Sequence, residues 1–304
     1  MASRIRYARL ATERVNPRSR ALDLLRPRQI AALMNREDRR AVLAVARVRS
    51  DIAAAVNMIV AALKRGGRLF FVGAGTSGRL GVIEAAECPP TFGTPPRLVQ
   101  AVIAGGRGAV FRSREGAEDD EIAARRAVRS RVRKGDVVVG ISASGVTPFV
   151  RAALAAARKR GARTVLVTCN ATGLGTTFAN VRIVATTGPE VLAGSTRLKA
   201  GTATKLVLNT LTTASMTGLG RVYGNRMVDL QPRSAKLRER ALRLIAEVAG
   251  VSRDRALRAF EASGGRVKVA IVIARNGWDA AEASRALRAA SGSLRVVLQK
   301  LRRK

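Results

Sequence analysis

The residues best placed to do chemistry are two glutamates and three hydroxyl-rich loops. The first loop is Gly73-Ala74-Gly75-Thr76-Ser77-Gly78, which follows the apolar run Leu69 to Val72 and leads into a stretch ending Glu87-Cys88-Pro89-Pro90. Its glycines allow a tight turn and close approach of a ligand to the backbone, and Thr76 and Ser77 add hydroxyl donors that can also cap the next helix. Backbone N–H groups at such a helix start, aided by the helix dipole, hold a phosphate without needing a metal. The spacing Gly73-x-Gly75-x-x-Gly78 also fits a dinucleotide fingerprint. That reading wants an acidic residue about 20 positions on, at the tip of the second strand. The second strand, expected over residues 98–104, ends instead in Gly105-Gly106. A phosphorylated small molecule is the better match.

Two more Ser/Thr/Gly loops stand at corresponding strand-to-helix positions. Ser142-Ala143-Ser144-Gly145-Val146-Thr147-Pro148 opens one helix, and Gly194-Ser195-Thr196-Arg197-Leu198-Lys199 opens another running to about Gly218. One such loop is ordinary turn chemistry, whereas three at equivalent positions argue for a sugar-phosphate site. The candidate binding residues are Gly75, Thr76, Ser77, Ser142, Ser144, Thr147, Ser195, Thr196 and Lys199. The candidate acid–base residues are Glu87 and Glu118, the latter within Glu115-Gly116-Ala117-Glu118-Asp119-Asp120-Glu121. Acidic bias in a first helical turn would also explain that cluster. Two carboxylates beside a bound sugar can divide acid and base roles if their surroundings separate their pKa values. Glu84, three residues before Glu87, is read as structural.

The elements that position these residues alternate. Strands are expected over residues 69–72, 98–104, 136–141, 164–168 and 181–185. Helices are expected over 78–87, stopped by the two prolines, and over 118–132 and 148–160. This alternation implies a parallel sheet covered on both faces, with ligands bound beyond the carboxyl ends of the strands. Before it lie an extended polar arm, a short helix over 28–34, and a helical stretch over 37–64 broken near Ser50-Asp51 and closed by Gly66-Gly67. After about Arg233 the texture becomes wholly helical, over 235–249, 253–263, 267–275 and 280–289. It carries no catalytic cluster and reads as a packing or dimerisation module, with a frayed basic tail at 300–304. The domains expected are an N-terminal arm with helices (1–52), a sugar-phosphate-binding domain (53–225) and a C-terminal helical module (226–304).

Composition removes several classes of chemistry. There is no His, which excludes Ser-His-Asp and Cys-His nucleophiles, a histidine base and histidine metal sites. Acid–base work falls to Glu, Asp, Lys, Tyr or Cys. The two cysteines, Cys88 and Cys169, lack metal-site spacing, so no metal is expected. The N-terminus shows no secretory h-region and no stretch is apolar enough to span a bilayer, so a cytoplasmic address without membrane contact is expected. With 56 Lys and Arg against 21 Asp and Glu, the net charge is +35. The excess is spread along the chain and aromatics are only 3%, so a basic solvated surface is favoured over a specific nucleic-acid site.

At this point the motifs converge on a family. Residues 73–81 with Ala86-Glu87-Cys88-Pro89-Pro90-Thr91-Phe92-Gly93 resemble N-acetylmuramic acid 6-phosphate etherases, as do Glu115-Gly116-Ala117-Glu118-Asp119, the Ser142 and Gly194 loops, and Thr12-Glu13 with Asn16-Pro17. The resemblance implies a sugar isomerase (SIS) domain. This is an α/β, flavodoxin-like, doubly wound parallel sheet with flanking helices, followed by a small C-terminal helical, UBA-like module. It also implies a cytoplasmic homodimer without cofactor. The reaction implied is cleavage of the lactyl ether of N-acetylmuramic acid 6-phosphate, by elimination and hydration, to N-acetylglucosamine 6-phosphate and D-lactate in cell-wall recycling. By motif, Glu87 matches the family's proton donor and Glu118 its second catalytic glutamate. Val146 departs from the pattern, standing where many relatives carry a polar or basic residue. A sugar-phosphate sensor without catalysis would need the three loops but not the paired carboxylates. A sugar-phosphate isomerase would not be expected to carry Glu87-Cys88-Pro89-Pro90.

Overall fold

The computed structural model describes residues 10–171, 179–232 and 234–300, and the side chains of all of these but Lys300. Two compact units divide the chain. One comprises Met1–Ala86 and Arg97–Thr212, the other Glu87–Pro96 and Thr213–Lys304.

The first unit is built on five strands, β1 (Leu69–Gly73), β2 (Val99–Ile103), β3 (Val137–Ile141), β4 (Arg163–Thr168) and β5 (Val181–Val184). They pair in the order β2-β1-β3-β4-β5, and every pair is parallel. This is the doubly wound order with its switch point between β1 and β3, where the connections diverge and open a crevice beyond the strand ends. β1 and β3 are buried at every position, consistent with an apolar run rather than an alternating one. Phe70, Val72 and Val138 pack with Ala124 and Val128 of α4 (Glu121–Arg131) and with Phe149, Val150 and Leu154 of α5 (Pro148–Lys159). Before the sheet come α1 (Pro27–Arg47) and α2 (Arg49–Lys64), the latter packed on β3 and β5. α3 (Gly75–Phe92) follows β1 and lies on the Phe71 face, where a Cβ at Gly81 would stand 2.8 Å from the Phe71 Cβ. α6 (Lys199–Gly218) completes the helices of the sheet region.

Several sequence expectations need revision. α3 does not stop before Pro89-Pro90 but runs to Phe92. Proline's fixed φ suits a helix, and the last turn, which holds both prolines, is closed by Gly93 N donating to Pro89 O at 3.0 Å. α1 starts at Pro27, absorbing the short helix expected over 28–34, and the break before α2 falls at Val48 rather than Ser50-Asp51. From residue 10 to α1 the arm is not extended. It forms 3-10 turns at Ala11–Glu13, Pro17–Ser19 and Leu22–Leu24, with Thr12 and Asn16 buried.

In the second unit, a short antiparallel hairpin, β6 (Val222–Tyr223) with β7 (Arg226–Met227), precedes five helices: α7 (Ala235–Ala249), α8 (Arg253–Ala262), α9 (Val267–Asn276), α10 (Ala280–Ala289) and α11 (Leu294–Lys300). Ile245, Phe260, Ile271 and Leu287 lie in their common core. The hairpin and α11 were not expected from the sequence. Arg233 and residues 301–304 of the expected tail lie outside the described residues.

Candidate active site

The first loop turns on two glycines in contact. A Cβ at Gly78 would stand 2.6 Å from the Gly73 carbonyl oxygen, so the chain can enter α3 this tightly only without side chains there. Gly75 has φ +51° and is exposed, while Thr76 and Ser77 occupy the first turn of α3 half-buried.

The second loop is braced from several sides. Ser142 Oγ lies 2.8 Å from Thr147 Oγ1 and 3.4 Å from Ser144 Oγ, and it accepts from Gly145 N at 3.0 Å. Ser144 Oγ accepts from the backbone N–H of the buried Val146 at 3.3 Å, and Asn170 Nδ2 donates to the Ser144 carbonyl at 3.0 Å. Thr147 is the N-cap of α5 yet makes no side-chain cap hydrogen bond. The hydroxyls of Ser142, Ser144 and Thr147 thus stand together at the start of α5, which has no side-chain cap.

The third loop is organised differently. Glu190, fully buried, accepts from Lys199 N at 3.0 Å and Ala200 N at 2.9 Å, so the protein's own carboxylate occupies the start of α6. Burial pushes the Glu190 carboxyl above its ordinary value, although these two backbone hydrogen bonds oppose the rise. The Lys199 ammonium, also buried, donates to Glu37 Oε2, which also accepts from Asn16 Nδ2 at 2.9 Å. Burial works against ionisation of Glu37. The hydrogen bonds from Lys199 and Asn16, with the ammonium's charge, outweigh it and hold the carboxyl below its ordinary value. Lys199, one of the candidate binding residues, is thus ion-paired within the fold. Ser195 and Thr196 remain half-buried ahead of it.

The loops adjoin. A Cβ at Gly201 would stand 3.6 Å from the Thr196 carbonyl oxygen and 3.8 Å from Thr76 Cγ2, which places the first and third loops side by side. The second and third are linked through Cys169, whose N–H donates to Ala143 O at 3.0 Å and whose thiol donates to Ala200 O at 3.6 Å. Burial pushes that thiol up to about 12, so it stays protonated.

Glu118 sits in a 3-10 turn, Ala117–Asp119, after Gly116 at φ 71°, and is exposed. It is not in the first turn of α4. With Ala74, Gly75, Arg79, Arg114 and Glu115 it lines a cavity of about 190 Å³ against the first loop. Glu87 does not line that cavity; it is an exposed residue of α3, twelve positions after Gly75. Glu84 is buried and engaged, bonded to the Lys205 ammonium and to Thr212 Oγ1 at 2.7 Å, in keeping with a structural part. Sequence reasoning missed Glu37, Glu190, Arg79 and Arg114. Only Asn16, within a quoted motif, hinted at the first of them. A larger cavity of about 830 Å³ in the helical unit contains none of the loops or glutamates, so we place no chemistry there. Among the described residues no cluster of His, Cys, Asp or Glu could hold a metal, and no helix is long and apolar enough to cross a membrane.

A parallel sheet in this order, with hydroxyl loops gathered at its carboxyl edge, defines a sugar isomerase (SIS) type of domain. Family comparison agrees: residues 116–214 match the SIS domain, and residues 51–158 match the glucokinase regulatory protein N-terminal SIS domain. Relatives then narrow the class. The chain is 50% identical over 291 residues to an N-acetylmuramic acid 6-phosphate etherase of Geobacillus thermodenitrificans, covering 95% of this chain and 99% of that one. It is 52% identical over 295 residues to one of Gloeobacter violaceus, covering 97% and 96%. The chain belongs to the N-acetylmuramic acid 6-phosphate etherase family.

Proposed function

We propose that this protein is a carbon–oxygen lyase that converts N-acetylmuramic acid 6-phosphate and water into N-acetylglucosamine 6-phosphate and D-lactate, in the recycling of cell-wall amino sugars. The observation that carries this is identity of about half the residues over nearly the whole length of relatives bearing that name. The position of Glu118 beside the glycine loop supports it.

In this reading the phosphate binds at the start of α5, where Ser142, Ser144 and Thr147 offer hydroxyls and the helix end is uncapped. Gly75, Thr76, Ser77, Ser195 and Thr196 line the sugar. Lys199 acts indirectly, through the Glu37 pair that holds its loop. The open-chain sugar exposes an aldehyde that acidifies the C2 hydrogen. One carboxylate takes that proton, the C3–O bond breaks, and a protonated carboxyl gives its proton to the departing lactate oxygen. Water then adds at C3 and a proton returns to C2. Glu87 and Glu118 divide these transfers, and carboxylates suffice for all of them. The site works in a cytoplasmic homodimer.

The test is D-lactate release from N-acetylmuramic acid 6-phosphate by the purified protein in the presence of a chelator. Equimolar D-lactate and N-acetylglucosamine 6-phosphate are expected; no lactate from folded protein would refute the proposal.

A further inference from the structure

The cavity beside Glu118 holds two cations that the reaction as described does not use. Arg79 is oriented by its Nε, which donates to Val110 O at 2.8 Å. Arg114 lies along the turn after β2, in room that glycines leave: a Cβ at Gly105 would meet its Cδ at 3.0 Å, and one at Gly108 its guanidinium at 2.9 Å. Among the described residues its side chain makes no hydrogen bond or ion pair, although Glu115 and Glu118 line the same cavity. Arg114 is exposed at that cavity, so its planar fork is open to an incoming carboxylate or phosphate.

The substrate assigned above carries two anionic groups, and the fold treats them separately. Its phosphate belongs with the uncapped start of α5. Its lactyl carboxylate hangs from C3, the atom next to the proton that is removed, so the lactyl group must lie beside the reacting carboxylate. A carboxylate brought next to Glu115 and Glu118 would be repelled unless a cation matched it. We propose that Arg114, flanked by Arg79, binds the lactyl carboxylate and makes the site selective for sugar phosphates bearing an acidic ether at C3. This rests on the etherase reading and on Glu118 acting at C2–C3.

Binding titrations in an E118Q background, where turnover is slow on the time of the measurement, test it with N-acetylmuramic acid 6-phosphate, its lactyl amide and N-acetylglucosamine 6-phosphate. A charge-assisted bond of this kind gives the acid about a 10- to 100-fold advantage over the amide. R114Q should abolish that advantage and leave N-acetylglucosamine 6-phosphate affinity unchanged, while R114K keeps part of it. An acid-to-amide ratio unaltered by R114Q, or equal weakening of all three ligands, overturns the proposal. Lactate release by the unsubstituted protein reports separately on the etherase reading.

Discussion

Glu37 and Lys199, 162 residues apart in sequence, form a buried ion pair that ties α1 to the start of α6. Breaking one partner of such a pair strands a buried charge, which costs about 3–5 kcal/mol. E37Q should therefore destabilise the protein by about that amount in urea titrations without changing the slope. The double variant E37M/K199M should recover much of the loss. A single variant as stable as the parent would show that the pair contributes nothing.

The same pair fixes an acid response. Because the Glu37 carboxyl in the folded protein lies below its ordinary value of 4.5, its stabilising contribution is complete above that pH and is lost as pH falls through the lower, folded value. Glu190, raised by burial, has the opposite sign: its contribution is present below 4.5 and lost as pH rises through its folded value. The stability difference between the parent and E37Q should be flat near neutrality and shrink below 4.5. Denaturation curves over an acid series measure it, and a difference that grows toward low pH would contradict the assignment.

Ser142 and Ser195 should separate in kinetics. Ser142 both receives the Gly145 N–H and faces Thr147, at a helix start with no internal anion. Loss of that hydroxyl in S142A should raise KM about tenfold with kcat little changed, as expected for binding equal in ground and transition states. S195A should have a smaller effect on KM, because Glu190 already occupies the third helix start.

Glu87 and Glu118 can be tested against each other. E87Q and E118Q should each lower kcat by about 10²- to 10⁴-fold while sugar-phosphate binding persists. If Glu87 serves the site of a second subunit, mixing the two inactive variants under conditions of subunit exchange should restore partial activity. Mixtures as inactive as their components would place both residues on one subunit's site.

How far the sequence discloses this arrangement depends on the range of the interactions. Apolar runs bounded by glycine mark β1 and β3 because burial on both faces is written into consecutive residues. The three loops are legible because each lies at a strand-to-helix turn. The end of α3 is misjudged because a proline's missing N–H matters less here than its helix-compatible φ. The partner of Lys199 is not legible because nothing local reveals that Glu37, on the buried face of α1 with Leu33 and Ala41, meets it across the fold. Arg114 cannot be singled out among 56 Lys and Arg by composition; only the glycines that make room for it, and its place in the cavity beside Glu118, distinguish it.

The most direct test of the elimination and hydration chemistry is turnover of N-acetylmuramic acid 6-phosphate in ¹⁸O-labelled heavy water, with mass analysis of both products. The account predicts one ¹⁸O at C3 and deuterium at C2 of N-acetylglucosamine 6-phosphate, with the original ether oxygen retained in D-lactate. Label entering D-lactate from water, with none at C3 of the sugar, would mean cleavage on the lactyl side and would contradict it.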